Sequence, residues 1–110
     1  MLVISREINQ SVMVGDDLRI TLNRVRGDRV SLRLDERVAD ATPGTAESVV
    51  TLRLDEAHRC GTDVTVTIVH VRGDRVRLGF TAPASVAVHR QEVYDAVHPG
   101  SGRPWEADHR

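Results

Sequence analysis

Val25-Arg26-Gly27-Asp28-Arg29-Val30 returns residue for residue as Val71-Arg72-Gly73-Asp74-Arg75-Val76. Sliding the chain by 46 positions also aligns Gly15 with Gly61, Asp17 with Asp63, Thr21 with Thr67 and Leu32 with Leu78, ten identities over residues 15–34. Apolar positions between them swap like for like: Leu18 for Val64, Ile20 for Val66, Leu22 for Ile68. One supersecondary unit is written twice, and a repeat of this kind governs every other reading of the chain.

Each copy reads as a β-hairpin. Leu18, Ile20 and Leu22 alternate with Arg19, Thr21 and Asn23, and past the turn Val30, Leu32 and Leu34 alternate with Arg29, Ser31 and Arg33. A period of two makes a strand with one apolar face. Gly27 before Asp28 supplies the positive φ of a tight hairpin turn. That turn accounts for both Arg-Gly-Asp tripeptides without an adhesion role. On this pattern alone Arg19, Arg29, Arg33, Arg75 and Arg77 fall on polar strand faces, as solvated surface.

A half-chain of about 50 residues buries too little surface to be stable alone, so the two copies are expected to share one core. Phe80, Tyr94 and Trp105 are the only aromatic residues, which leaves Val, Leu, Ile and Ala to fill it. The formal net charge is -1, so any nucleic-acid site must be a local basic patch. All fifteen basic residues are Arg, which genomic base composition explains. A single cysteine, Cys60, rules out an intrachain disulfide and fits a reducing cytoplasm. There is no apolar run of membrane-spanning length, and the opening residues lack the features of a signal peptide.

Working outward from the hairpins, Met1 to Arg6 reads as a first strand, Ile8 to Ser11 as a bend, and Val12 to Val14 as a short second strand. Residues 1–38 form the first repeat, without an intact last strand or helix. Pro43, Gly44 and small residues mark 39–48 as a linker. The second repeat runs over 49–98, with Val50, Leu52 and Leu54 alternating in its first strand. Pro83 should stop sheet pairing, Ser85 to Val88 is β-prone, and a helix is expected over about 89–98 from Val93, Ala96 and Val97. Residues 99–110 read as a flexible tail. His58, Cys60 and His70 match no zinc spacing. No nucleophile elbow, phosphate loop or paired-carboxylate signature points to an enzyme, and nothing calls for a cofactor.

Met1-Leu2-Val3-Ile4-Ser5-Arg6, Val14-Gly15-Asp16, Val25 to Val30, and Ala82-Pro83-Ala84-Ser85-Val86-Ala87-Val88-His89-Arg90-Gln91-Glu92-Val93-Tyr94 together resemble the carbon storage regulator family, small bacterial RNA-binding translational regulators. The last block carries most of the specificity. Family members are usually about half this length and intertwine two chains into one β-fold. The resemblance implies an all-β chain with one short C-terminal helix. Two intertwined units would share a barrel or sandwich core, as a monomeric pseudo-dimer.

By the same resemblance, Ile4, Ser5 and Arg6 form the first-strand half of an RNA site. Val86, Ala87, Val88, His89 and Arg90 form the other half, brought from the opposite end of the chain. Val86 to Val88 would read guanine edges through backbone groups, with Arg6 and Arg90 on phosphates and His89 either donating to RNA or capping the helix. The second site would join Val50 to Leu54 with Val38 to Gly44. There Leu52 replaces Arg6 and Gly44 replaces Arg90, so one working and one degenerate site are expected. Glu7 departs from the family's basic residue, and Asn9-Gln10 from its Gly-Glu turn. The implied function is recognition of GGA in single-stranded loops of mRNA leaders, altering translation initiation or message stability, with sequestering small RNAs among the possible partners. The alternative is a protein-interaction module on the same fold, suggested by the flagellar assembly factor that antagonises some members.

Overall fold

The computed structural model describes residues 1–37, 45–60 and 63–97. Most of the expected linker, with its share of the degenerate site from Val38 to Gly44, lies outside the described residues, as do Gly61 and everything from His98 to the tail with Trp105. Among the described residues the chain forms β1 (Leu2–Glu7), β2 (Ser11–Val14), β3 (Leu18–Arg26), β4 (Arg29–Arg37), β5 (Thr45–Arg53), β6 (Ala57–Cys60), β7 (Val64–Arg72), β8 (Arg75–Thr81), β9 (Val88–Arg90) and one helix, α1 (Gln91–Val97). The fold is all-β with one short C-terminal helix.

The strands make two antiparallel sheets, one in the order β1-β8-β7-β6 and the other β5-β4-β3-β2-β9. The first strand of each repeat lies in the sheet of the other. Ile4 sits opposite Leu78, and 46 positions on, Val50 sits opposite Leu32. Arg6 faces Val76 and Leu52 faces Val30 in the same way. The inward residues of both sheets, Ile20, Leu22, Val30 and Leu32 from one and Val66, Ile68, Val76 and Leu78 from the other, are fully buried in a single cluster. Burying a side chain of this size is worth about 1.5–3 kcal/mol, and neither half could hide these faces without the other.

Local chemistry repeats with the strands. Gly27 and Gly73 turn the two hairpins at φ 63 and 59. Asn9 and Asp55 take φ 71 and 68 at the ends of β1 and β5, a left-handed conformation that Asn and Asp tolerate better than most residues. Gln10 Oε1 accepts the Glu7 backbone N–H at 2.9 Å, and Glu56 Oε1 accepts that of Arg53 at 2.7 Å. Asn9-Gln10 thus closes the turn in the same way as its counterpart Asp55-Glu56. Register shifts after Leu22 and after Ile68 mark a bulge in β3 and in β7, which bends each strand around the core.

Three local expectations differ from what is found. β5 begins at Thr45, inside the segment read as linker, because Arg37 to Leu34 pair with Thr45 to Ser48. Sheet pairing, which sequence periodicity cannot see, holds those small residues in a strand. The last strand is Val88–Arg90 and the helix begins at Gln91. Arg19 is buried rather than solvated, with its Nη2 3.4 Å from the equally buried Asp35. Cys60 packs in the core, where burial above all, with the charge of Glu36 adding to it, pushes its thiol from 9.0 up to about 11. No described helix is long and apolar enough to cross a membrane.

Candidate nucleic-acid interface

Among the described residues β1 is the terminal strand of one sheet and β9 the terminal strand of the other. Each therefore presents backbone donors and acceptors along one side. β9 is laid down by β2, with Val12 opposite Arg90, Met13 opposite His89 and Val14 opposite Val88. The Gly15 N–H donates to the Ala87 carbonyl at 2.6 Å. Bonding alternates along an antiparallel ladder, so Ala87 and His89 turn their backbone groups toward β2 and Val88 turns its own outward. A turn closed by the Val86 N–H on the Pro83 carbonyl, 2.9 Å, sets the approach. Ala87 and Arg90 are exposed, while Val86, Val88 and His89 are half-buried.

Arg6 ties β1 to β2 and to the helix that follows β9. Its Nη1 and Nη2 donate to Glu92 Oε1 and Oε2 at 2.8 and 3.0 Å, in the bidentate geometry that suits a guanidinium and a carboxylate. Its Nε donates to the Ser5 carbonyl and Nη1 also to that of Ser11. The side chain is only 6% exposed. The hydrogen bonds from Arg6, with its charge and that of Arg90 adding to them, hold the Glu92 carboxyl at about 2 against an ordinary 4.5. Arg6 therefore ties β1 to α1, and a phosphate would meet it only by displacing Glu92. Of the remaining first-strand residues, Ser5 is exposed and Ile4 half-buried against the core.

The helix is seated from the other side as well. Tyr94, 1% exposed, packs on Met13 and donates its hydroxyl to Asp16 Oδ1 at 3.0 Å. Gln91 Nε2 donates to Asp95 Oδ1 one turn on. Glu92, Asp16 and Tyr94 were not among the residues that sequence reasoning assigned to the site. A signal for Glu92 was present: the copy without the C-terminal helix also carries Leu52 in place of Arg6. At the other end of the molecule Leu52 is buried in the core cluster, and β6 is the terminal strand among the described residues. No group of three or more described His, Cys, Asp or Glu side chains is placed to hold a metal.

The model of the CsrA global regulator protein family matches residues 1–36 and 49–99. The chain belongs to this family. The interval between the two CsrA matches covers the last residue of β4, the undescribed 38–44 and the start of β5. Translational regulator CsrA of Rhodopirellula baltica is 45% identical over 97 residues, which cover 88% of this chain and 73% of the relative. Translational regulator CsrA of Treponema pallidum is 41% identical over 109 residues, covering 96% and 86%. That of Brachyspira hyodysenteriae is 49% identical over 35 residues, 32% of this chain and 43% of the relative. No solved structure matches the chain.

Proposed function

We propose that this chain is a post-transcriptional regulator that binds GGA-bearing single-stranded loops of mRNA at the junction of β1 and β9, as a single-chain pseudo-dimer with one working site. The observation that carries the reading is the meeting of two open strand edges from opposite ends of the chain, locked by Arg6 and Glu92. Sequence-specific RNA binding usually targets unpaired bases, whose edges are free for hydrogen bonding. A strand edge with outward backbone groups at Val88 suits that task in a chain with almost no aromatic platform. Exposed Arg90 supplies a phosphate contact, while buried Arg6 acts by positioning the edge. Occupancy of a message leader would obstruct initiation or alter message stability.

The pseudo-equivalent edge at β5 has Leu52 in place of the arginine and, among the described residues, no helix beside it, so only one RNA is expected per chain. The test is a calorimetric titration with a short RNA hairpin carrying GGA in its loop, against a scrambled loop. Saturation near one RNA per chain, lost with the scrambled loop, is the expected result. Two per chain would restore the second site. No binding to either hairpin would leave a protein-interaction role for the same edges.

A further inference from the structure

On the outer face of the five-stranded sheet, Arg24, Arg26, Arg29, Ser31 and Thr51 line an open groove of about 240 Å³. The three arginines come from the turn end of β3 and β4, where Arg26 sits directly opposite Arg29, and Arg29 opposite Arg53 on β5. Like charges directly opposite one another weaken a sheet. Farther along the same face the arginines are neutralised: Arg19 and Arg33 both reach Asp35, and Arg33 also reaches Glu47. Among the described residues no carboxylate lies within ion-pair distance of Arg24, Arg26 or Arg29, Asp28 at the turn tip included. The other sheet treats the matching place differently. There Arg75 is held by Glu7 at 2.7 Å, and Glu7 corresponds to Arg53 by the 46-residue offset.

We infer that this groove is a second anion site, which takes the phosphates of an RNA backbone running beyond the recognised triplet. Guanidinium forks match phosphate oxygens, and the Ser31 and Thr51 hydroxyls add neutral donors. No aromatic side chain lines the groove, so it would hold backbone without reading bases. β4 is three strands from β9 across the sheet, roughly 14 Å at ordinary strand spacing, so an RNA held at the β1–β9 junction reaches the groove only if it extends past its loop. The choice of RNA as the source of phosphate rests on the proposed function; the groove itself does not.

Fluorescence anisotropy with an oligouridine of about twenty nucleotides, taken through a salt series, tests the groove apart from the GGA site. The comparison is between the intact chain and the triple variant Arg24→Gln, Arg26→Gln, Arg29→Gln, with Arg26→Gln alone as a milder change at an exposed strand end. The triple variant should lose about tenfold or more in low-salt affinity, its salt slope falling by about 2 and that of the single variant by about 0.7. The short GGA hairpin should bind all three proteins alike. Failure of the intact chain to bind oligouridine, equal binding by the variants, or inorganic phosphate binding at the groove without oligouridine would each overturn the inference. Groove-dependent oligouridine binding with no binding of the GGA hairpin would uphold it and remove the proposed function instead.

Discussion

Arg6 on β1 and Glu92 in the first turn of α1 are 86 positions apart and meet as a two-pronged ion pair of 2.8 and 3.0 Å. Arg6 is buried and Glu92 is 58% exposed. The pair therefore matters more for the arginine, which would otherwise be a charge inside protein without a counterion, than for the carboxylate. It is also the one described ion pair that joins β1 to the helix following β9.

Glu92→Gln should cost about 1–2 kcal/mol, less than the loss of a fully buried pair because one partner is open to water. Arg6→Leu, which copies the buried Leu52, should cost less, and adding Glu92→Gln to it should cost nothing further. Urea unfolding of the two single variants and the double variant measures this coupling. Additive losses would mean that the two side chains act independently.

Acid should release the helix before it unfolds the sheets. The Glu92 carboxyl lies at about 2 when folded, below its ordinary 4.5. Its contribution to stability is therefore complete above about pH 4.5 and is lost as the pH falls toward 2. The Tyr94 ring, which packs on Met13, reports this in its NMR signals. They should hold their positions down to about pH 4 and change below it in the natural chain, and Glu92→Gln should remove that change. An identical acid profile in both proteins would assign the transition to other carboxylates.

Tyr94→Phe removes the hydroxyl bonded to Asp16 and keeps the ring on Met13. A loss of about 1 kcal/mol in a thermal melt is expected. Tyr94→Ala should lose about 3–5 kcal/mol, together with binding of the GGA hairpin. Hairpin binding retained by Tyr94→Ala would show that the helix seat is not needed to place β9.

Gly27→Ala and Gly73→Ala should each cost about 1–2 kcal/mol, the penalty of a left-handed L-residue. Both glycines stand at φ near 60 with open space where a Cβ would go, so conformation alone sets the cost. Denaturant midpoints should fall by similar amounts in the two variants. A large difference between them would mean that one hairpin contributes little to the folded state.

For the GGA hairpin, Arg90→Ala should weaken binding by about 1–3 kcal/mol, the scale of a charge-assisted contact. Arg53→Ala, on β5 at the pseudo-equivalent edge, should leave it unchanged. Equal losses at both positions, measured by calorimetry, would contradict a single working site.

Much of this fold was legible because its cues are local. The hairpin turns announced themselves through Gly27 and Gly73, alternation marked β3, β4 and the latter part of β5, and the repeat carried the hairpin reading over to β7 and β8. The bulges were half-visible: inward apolar residues step by two from Leu18 to Leu22 and by three to Val25, which the alternating reading passed over. The exchange of first strands is a pairing between distant segments, such as Ile4 with Leu78. It follows from no local pattern and was expected only through the family resemblance. The burial of Arg19 depends on Asp35 across the strand pair, and the role of Arg6 on a helix at the far end of the chain. Charged residues read one at a time look solvated, and only the fold shows which have found a counterion.

β4 and β5 pair from Arg37 opposite Thr45 to Arg29 opposite Arg53, joined by the seven undescribed residues 38–44. Association of the two repeats is thus a loop closure within one molecule, with no second-order step. In a chain that folds as a monomer, dilution would then leave them together, and the melting midpoint would not depend on protein concentration as it does for an obligate dimer. A single polypeptide also frees the two ends from mirror constraint. A substitution at Arg6 has no obligatory twin at Leu52, so one edge can be tuned while the other drifts or takes on different work.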